Sequence, residues 1–495
     1  MFPVPAASPA PLTRLQTWLV IIVAVIGFAF DTYELLMLPL INNAAISELL
    51  QVQPSNPLVR DWFLIINAAA AVSGGIFGLL GGWLIDRFGR KRILVLSILI
   101  YGLSPVAAAF STNIYSFMIF RCTTFIGVCV EFVAAVAWLA ELFPEKRKRE
   151  MVLGFTQVFA SFGGFMVTGV KIWLEGHAIN LPAIGVDAPF NPQAPWRYTL
   201  ISGLIPAIPI LLLLPFIPES PIWRERKSAG TLKRPSFGQL FSPELSRTTI
   251  TATLLLACCY GAAFGAIQLA PKQITPGLPE LVPISKELDE ATTAVKQKQQ
   301  EIAKLAAESP EKAAAQKELP KLLKEQRELR SKIEEVGDKV QLLQETGGLF
   351  GRIVLWLLAL FILSRRLLLW VFVVPGIFIV PYVFLNSQSH GQDFLMCGIF
   401  AAALVTIAQF SYWGNYLPAA YPVHLRGTAG GFAANVGGRM LGSNMGLLTG
   451  FVVAPLFIGP SYAVTAQAAA YVGGGMFVLA FVISCWLPQP KESAE

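Results

Sequence analysis

Asp31, Arg121, Glu131 and Arg439 interrupt long apolar runs in this chain. A carboxylate in such surroundings takes up or releases a proton as a neighbouring cation withdraws or approaches, and a buried arginine needs an anion to face. That set of side chains is suited to exchanging protons and holding an acid. Asp31 lies about 10 residues and Arg121 about 8 from the same side of their runs, roughly 15 and 12 Å deep, so the two are expected to pair. A static structural ion pair is the alternative. Glu131, roughly 15 Å from the opposite end of its run, is a second proton-site candidate. Glu34 is a third, nearer the boundary, where it could instead snorkel to water.

Arg439 is the candidate for a substrate carboxylate, with a backbone carbonyl or Glu131 as alternative partners. Gln409 and Asn435 would hydrogen-bond substrate oxygens, while Tyr412 and Trp413 would pack on an apolar or sugar-ring face. Gln157, Ser161 and Lys171 are further candidates.

The elements that must position these residues follow from composition. With 54% hydrophobic and 14% charged residues and a mean hydropathy of +0.58, the 495-residue chain cannot solvate its surface as a soluble globule does. It reads as an all-α integral membrane protein. Of 38 basic and 31 acidic residues, 13 and 14 fall within residues 271–345, so the charge is a loop property rather than a nucleic-acid footprint. All six cysteines lie in apolar runs and read as small core residues, not as a disulfide framework.

A spanning helix needs about 20 apolar residues. The qualifying segments are 17–41, 61–85, 92–110, 113–141, 151–175, 197–217, 248–270, 347–364, 366–386, 393–416, 427–457 and 463–487. That predicts two six-helix pseudo-repeat halves, 1–217 and 248–487, joined by a linker at 218–247 and followed by a tail at 488–495. Basic residues cluster in alternate loops, at 87–92, 146–149, 224–234, 365–366 and 426, which makes those loops and both termini cytoplasmic. Only Arg14 precedes residue 17, so the first segment reads as a retained helix rather than a signal peptide. The bacterial inner membrane is the expected location, with a eukaryotic plasma membrane as alternative.

Residues 278–345 form an insert on the opposite side. Apolar residues recur at alternating spacings of four and three from Ile284 to Leu305 and from Leu322 to Leu343, which predicts an antiparallel coiled-coil hairpin. Ser309-Pro310-Glu311 would start the second arm, and Pro320 would kink or restart it. The insert is either a solvated spacer or a surface for another protein or a second copy.

The chain resembles the major facilitator superfamily through Gly82-x-x-x-Asp86-Arg87-x-Gly89-Arg90-Lys91. Pro218-Glu219-Ser220-Pro221 with Trp223 is similar to a motif of sugar porters and their organic-ion relatives, with Ile222 in place of an arginine. Phe30-Asp31-Thr32-Tyr33-Glu34 is similar to an element of aromatic-acid and metabolite/proton symporters, with Thr32 and Glu34 departing from it. Glu131 is similar to the acid of an organic-acid symporter element. The resemblance implies an inner gate in which Asp86 sits against the start of segment 11, near Thr428–Gly431. Gly82 and Gly89 permit close approach, and Arg87, Arg90 and Lys91 pair with Glu141, Glu145 and Glu219. Arg426 marks the corresponding loop of the second half. It further implies that Asp31 beside Arg121 couples transport to protons.

Three readings remain open: a proton-coupled symporter for a small organic acid, a sugar porter or uniporter, and a non-transporting sensor or assembly protein that uses the outer hairpin. An enzyme is not expected, because the three histidines are far apart and no nucleophile, phosphate-loop or metal-ligand spacing occurs. No cofactor is expected. The expected partners are a small-molecule substrate, protons and the bilayer.

Overall fold

The computed structural model describes residues 13–52, 57–187, 190–231, 235–304 and 310–490, and no strand occurs among them. Among the described residues, ten helical segments are long and apolar enough to cross a membrane. In the first half these are α1 (Arg14–Leu49), α2 (Pro57–Phe88), α3 (Arg90–Ala109) and α4 (Ile114–Leu142). They are followed by the stacked pairs α5 (Lys146–Val158) with α6 (Ala160–His177) and α7 (Pro195–Ser202) with α8 (Leu204–Leu213). Polar side chains start several of them. Thr13 caps α1 and Asn113 caps α4, each accepting from a backbone N–H of the first turn, which satisfies donors that a helix otherwise leaves free.

After the short helices α9 (Pro221–Ser228) and α10 (Phe237–Leu240), the second half comprises α11 (Ser246–Gly265), α12 (Val282–Lys304), α13 (Pro310–Ala359), α14 (Arg365–Ala420), α15 (Arg426–Gly431), α16 (Met445–Leu447) and α17 (Ser461–Ser484). Phe432–Gly442 and Leu448–Val453, flanking α16, are wound as wider π turns. α14 is two helices across a break at Gly391, whose φ is +80°. The rings of Tyr382 and Phe394 lie 5.8 Å apart, whereas a straight helix would separate them by roughly 18 Å. The chain therefore doubles back there, and only glycine adopts that backbone at low cost.

Two apolar cores result, one running from Val20 to Ile217 and joined by Ala434, and one from Leu240 to Leu487. Large apolar side chains such as Ile76, Phe77, Phe378 and Tyr382 point outward, while Asp31, Glu34, Arg121 and Glu131 are buried. This is the distribution a lipid solvent selects.

α13 differs from the sequence expectation. It runs unbroken through Pro320 and joins the second arm of the insert to the membrane segment after it. α12 lies antiparallel to it: Gln326 donates to Thr292 at 2.8 Å, and Lys298 pairs with Glu318 at 2.8 Å. Ser309 and Leu305, Lys233 and Arg234 of the basic loop, and 491–495 of the tail lie outside the described residues, as do the side chains of Pro310 and Glu311.

Candidate functional site

Between the two cores lies a cavity with roughly 980 Å³ of empty space, the part open to solvent included. α1 contributes Asp31, the α5–α6 pair Gln157 and Ser161, α11 Tyr260, α13 Glu345 and Arg352, α14 Trp413, and the π-wound segment Arg439. Phe28, Phe132, Phe264 and Phe410 supply apolar walls. Six buried polar atoms on these walls have no hydrogen-bond partner: Asp31 Oδ1, Gln157 Oε1, Ser161 Oγ, Arg352 Nε, Trp413 Nε1 and Arg439 Nη1. Buried polar groups are ordinarily satisfied, and these six, bordering one open space, are free to bond a polar ligand there.

Arg439 Nη2 lies 3.9 Å from Asp31 Oδ2, and its guanidinium sits over the rings of Phe125 and Tyr260 at 5.3 and 5.4 Å. The pairing of Asp31 with Arg121 is therefore corrected. Arg121 has Glu34 as its main charge neighbour, and Glu34 is 1% exposed, so it does not snorkel. Glu34 packs against Gly203, at the junction of α7 and α8, inside the first half. A three-residue step turns a side chain by about 60° around a helix, enough to send Asp31 to the cavity and Glu34 away from it.

Other candidates divide similarly. Gln157 and Trp413 face the cavity. Gln409 donates back to Val405 O at 3.0 Å, Asn435 donates to Cys129 O at 3.4 Å against Gly78, and Tyr412 stacks on Tyr416; none of these three is on the cavity wall. Glu131 is buried behind the wall with its Oε1 against Gly27. Lys171 lies in a separate group with Glu175 at 3.2 Å and Asp338 at 3.8 Å. Sequence reasoning missed Arg352 and Glu345. Arg352 interrupts an apolar run as Arg439 does, and that signal was there to read; Glu345 was hidden by the repeat assigned to the insert.

At the bundle end that carries Asp86, the halves are joined. Asp86 accepts from Gly427 N at 3.0 Å, Thr428 N at 2.7 Å and Thr428 Oγ1 at 2.8 Å, so a carboxylate meets the positive end of a helical segment. Gly82 packs directly on Gly427 O, a contact that leaves no room for a Cβ. Arg90 pairs with Glu141 at 2.8 Å and Asp86 at 3.2 Å and donates to Val423 O at 2.8 Å. Glu219 accepts from the backbone N–H of Arg90 and Lys91 at 3.2 and 3.1 Å, and Lys91 Nζ donates to Ile217 O at 2.6 Å. Ser220 donates to Glu141, and Trp223 to Asp86 O. Arg87 is the exception. It is exposed and lies over the Trp83 ring at 5.0 Å, while Glu145 pairs with Lys148 on the surface. Arg426 Nε donates to Pro418 O at 2.9 Å, and Arg365 pairs with Glu150 across the halves.

A helical body with two cores and a polar cavity between them defines a multi-pass membrane protein. The family model described as Major Facilitator Superfamily matches residues 19–285, and the chain belongs to that family. It is 34% identical over 167 residues to the 4-hydroxybenzoate transporter PcaK of Pseudomonas putida, covering 33% of this chain and 34% of that protein. Over 194 residues it is 30% identical to the 3-(3-hydroxy-phenyl)propionate transporter of Escherichia coli, covering 38% and 42%. The chain thus spans less than half the length of these relatives. In fold it is similar to the proton:xylose symporter XylE bound to 6-bromo-6-deoxy-D-glucose, with a TM-score of 0.68 at 15% identity over 97% of this chain and 98% of that one.

Proposed function

We propose that the protein is a secondary transporter that carries a small organic acid through the central cavity by alternating access, coupled to protons. The observation that carries this reading is the loose Asp31–Arg439 couple, 3.9 Å apart, with an unsatisfied atom on each side chain. A substrate carboxylate can take the guanidinium with charge-assisted hydrogen bonds. Asp31 then loses its counterion inside an apolar body and binds a proton. Substrate and proton enter together, so the occupied cavity gains no net charge and the halves can rock. The relatives named as transporters of aromatic acids support the substrate class, and the aromatic walls suit it.

In this reading the Asp86 end is the cytoplasmic gate, closed in the present structure, and both termini are cytoplasmic by the distribution of basic loops. The Arg365–Ala420 helix counts as two crossings and the π-wound segment as another, giving twelve, with the insert outside in a bacterial inner membrane. Glu131 and the Glu34–Arg121 couple are reserve proton sites in the first half. A sugar porter is the second reading, favoured by Gln157, Gln268 and Trp413 on the same cavity, groups able to bind hydroxyls and a ring face. Uptake by proteoliposomes that enclose a pH-sensitive dye tests the two. Internal acidification with 4-hydroxybenzoate supports acid symport, whereas hexose counterflow without a pH change replaces it with the second reading.

A further inference from the structure

We propose that Arg352 and Glu345 form a second anion-holding pole of the cavity, so that the preferred substrate is a dicarboxylic acid with a ring-like apolar middle, one carboxylate at Arg439 and the other at Arg352. The inference rests on the organic-acid reading above and narrows it.

Glu345 and Arg352 are seven residues apart on α13, two turns along one face. They are 4% and 8% exposed, and both border the cavity. Arg352 is anchored from behind: its Nη1 donates to Ser411 Oγ at 2.8 Å and to Gln157 O at 3.4 Å, while Nε has no partner. Arg439 is held by ring contacts instead, with its guanidinium over two rings and Nη1 unpartnered. Two fixed guanidiniums, each with an unmade hydrogen bond, thus border one space.

Each also has a carboxylate nearby that it does not hold tightly. Asp31 stands 3.9 Å from Arg439 and is a more distant charge neighbour of Arg352 as well. Glu345 is the first charge neighbour of Arg352, yet no ion pair or hydrogen bond joins the two among the described contacts. An ion pair meant only to stabilise the fold would close, because two buried charges left apart keep their desolvation cost without the compensating contact. A monocarboxylate would satisfy Arg439 and leave Arg352 unmatched. A dicarboxylate satisfies both. The proton count follows: each guanidinium turned to the substrate leaves its internal carboxylate free to bind one proton, so a dianion enters with two protons. On release the substrate leaves, the two internal couples re-form and both protons depart.

The test uses the full-length protein in proteoliposomes with terephthalate and benzoate, measuring kcat/KM and protons moved per substrate for wild type, Arg352→Gln, Arg352→Lys and Glu345→Gln. Wild type is expected to prefer terephthalate and to move two protons with it. Arg352→Gln should lower the terephthalate-to-benzoate ratio about tenfold or more, the size of one lost charge-assisted hydrogen bond. Arg352→Lys should recover part of it, and Glu345→Gln should reduce the count to one proton. Uptake of benzoate but not terephthalate by wild type overturns the second pole while leaving the organic-acid reading intact. An equal loss of both acids in Arg352→Gln, unrescued by lysine, makes Arg352 structural and also overturns it. Movement of neither acid by wild type removes the organic-acid reading and this inference with it.

Discussion

Asp31 and Arg439, from opposite halves of the molecule, face each other with Oδ2 and Nη2 3.9 Å apart. That separation is too long for a hydrogen bond and short enough for strong attraction in an apolar body. The couple is held open, and whatever enters between its members changes the charge state of both.

Asp31→Asn keeps the side-chain shape and removes the titration. With a monocarboxylate such as benzoate, uptake should lose its response to an imposed pH gradient, the ratio of uptake with and without the gradient falling to about one, since no proton then exchanges at this position. Transport assays in proteoliposomes at fixed substrate concentration measure the ratio directly. A ratio that survives moves the coupling site to Glu131, Glu34 or Glu345.

Arg439→Lys preserves the charge but not the planar fork, and its ammonium carries a stronger hydration shell. Acid affinity should fall at least about tenfold, corresponding to the loss of one charge-assisted hydrogen bond. Isothermal titration of the detergent-solubilised protein reads this. An unchanged affinity would place the carboxylate elsewhere.

Asp86→Asn removes the charge facing Gly427 N and Thr428 N and leaves Arg90 with Glu141 as its remaining carboxylate partner within 4 Å. The contact should weaken by about 1.5–3 kcal/mol, opening this end of the bundle. A cysteine placed at Ala137, which borders a small recess beside Leu417 and Arg426, should then react several-fold faster with a maleimide. An unaltered rate would mean that Arg90, Glu141 and Val423 O hold the end shut by themselves.

Gly89→Ala forces a side chain into a backbone with φ +110° and sets a Cβ 2.6 Å from Glu219 Oε2. The backbone alone costs about 1–2 kcal/mol, and Glu219 must also move off the N–H groups of Arg90 and Lys91. A lowered thermal midpoint in detergent is the expected outcome, larger than that of Gly450→Ala, where nothing lies within 4 Å.

The free end of the insert should respond to pH separately from the membrane body. Lys298 holds the Glu318 carboxyl below its usual range, and Glu318 and Glu301 hold the Lys298 ammonium above its own. The acid's contribution is present above its unfolded value and lost as pH falls through the lowered one. That of the lysine is present at neutral pH and lost only as pH rises through the raised value. Amide exchange around residues 298 and 318 should therefore quicken at both extremes while α4 stays protected. Equal quickening of the two regions would show that the arm and body unfold together.

Much of the architecture was legible because lipid imposes simple rules. A run such as 113–141 can satisfy its backbone only as a helix, and the structure starts that helix at Ile114 behind the cap Asn113. Gly82-x-x-x-Asp86, through the family resemblance, pointed to the contact of Asp86 with the start of segment 11. The partner of Asp31 was not legible: matching depth within one half suggested Arg121, whereas Arg439 reaches the same level from the other half. Gln409, Asn435 and Tyr412 share the polar character of the cavity residues, and only helix rotation separates them from Trp413.

The amino-acid sequence by itself determined a helical membrane body and several of its buried charges, because hydropathy and local backbone chemistry act over a few turns. Tertiary structure alone decided which charges meet. It set Asp31 against Arg439, turned Glu34 toward Arg121, and carried Glu345 and Arg352 into the cavity on a helix that begins in the insert. Those pairings depend on how two separate cores pack and how each helix rotates about its axis, which no local pattern in the chain encodes.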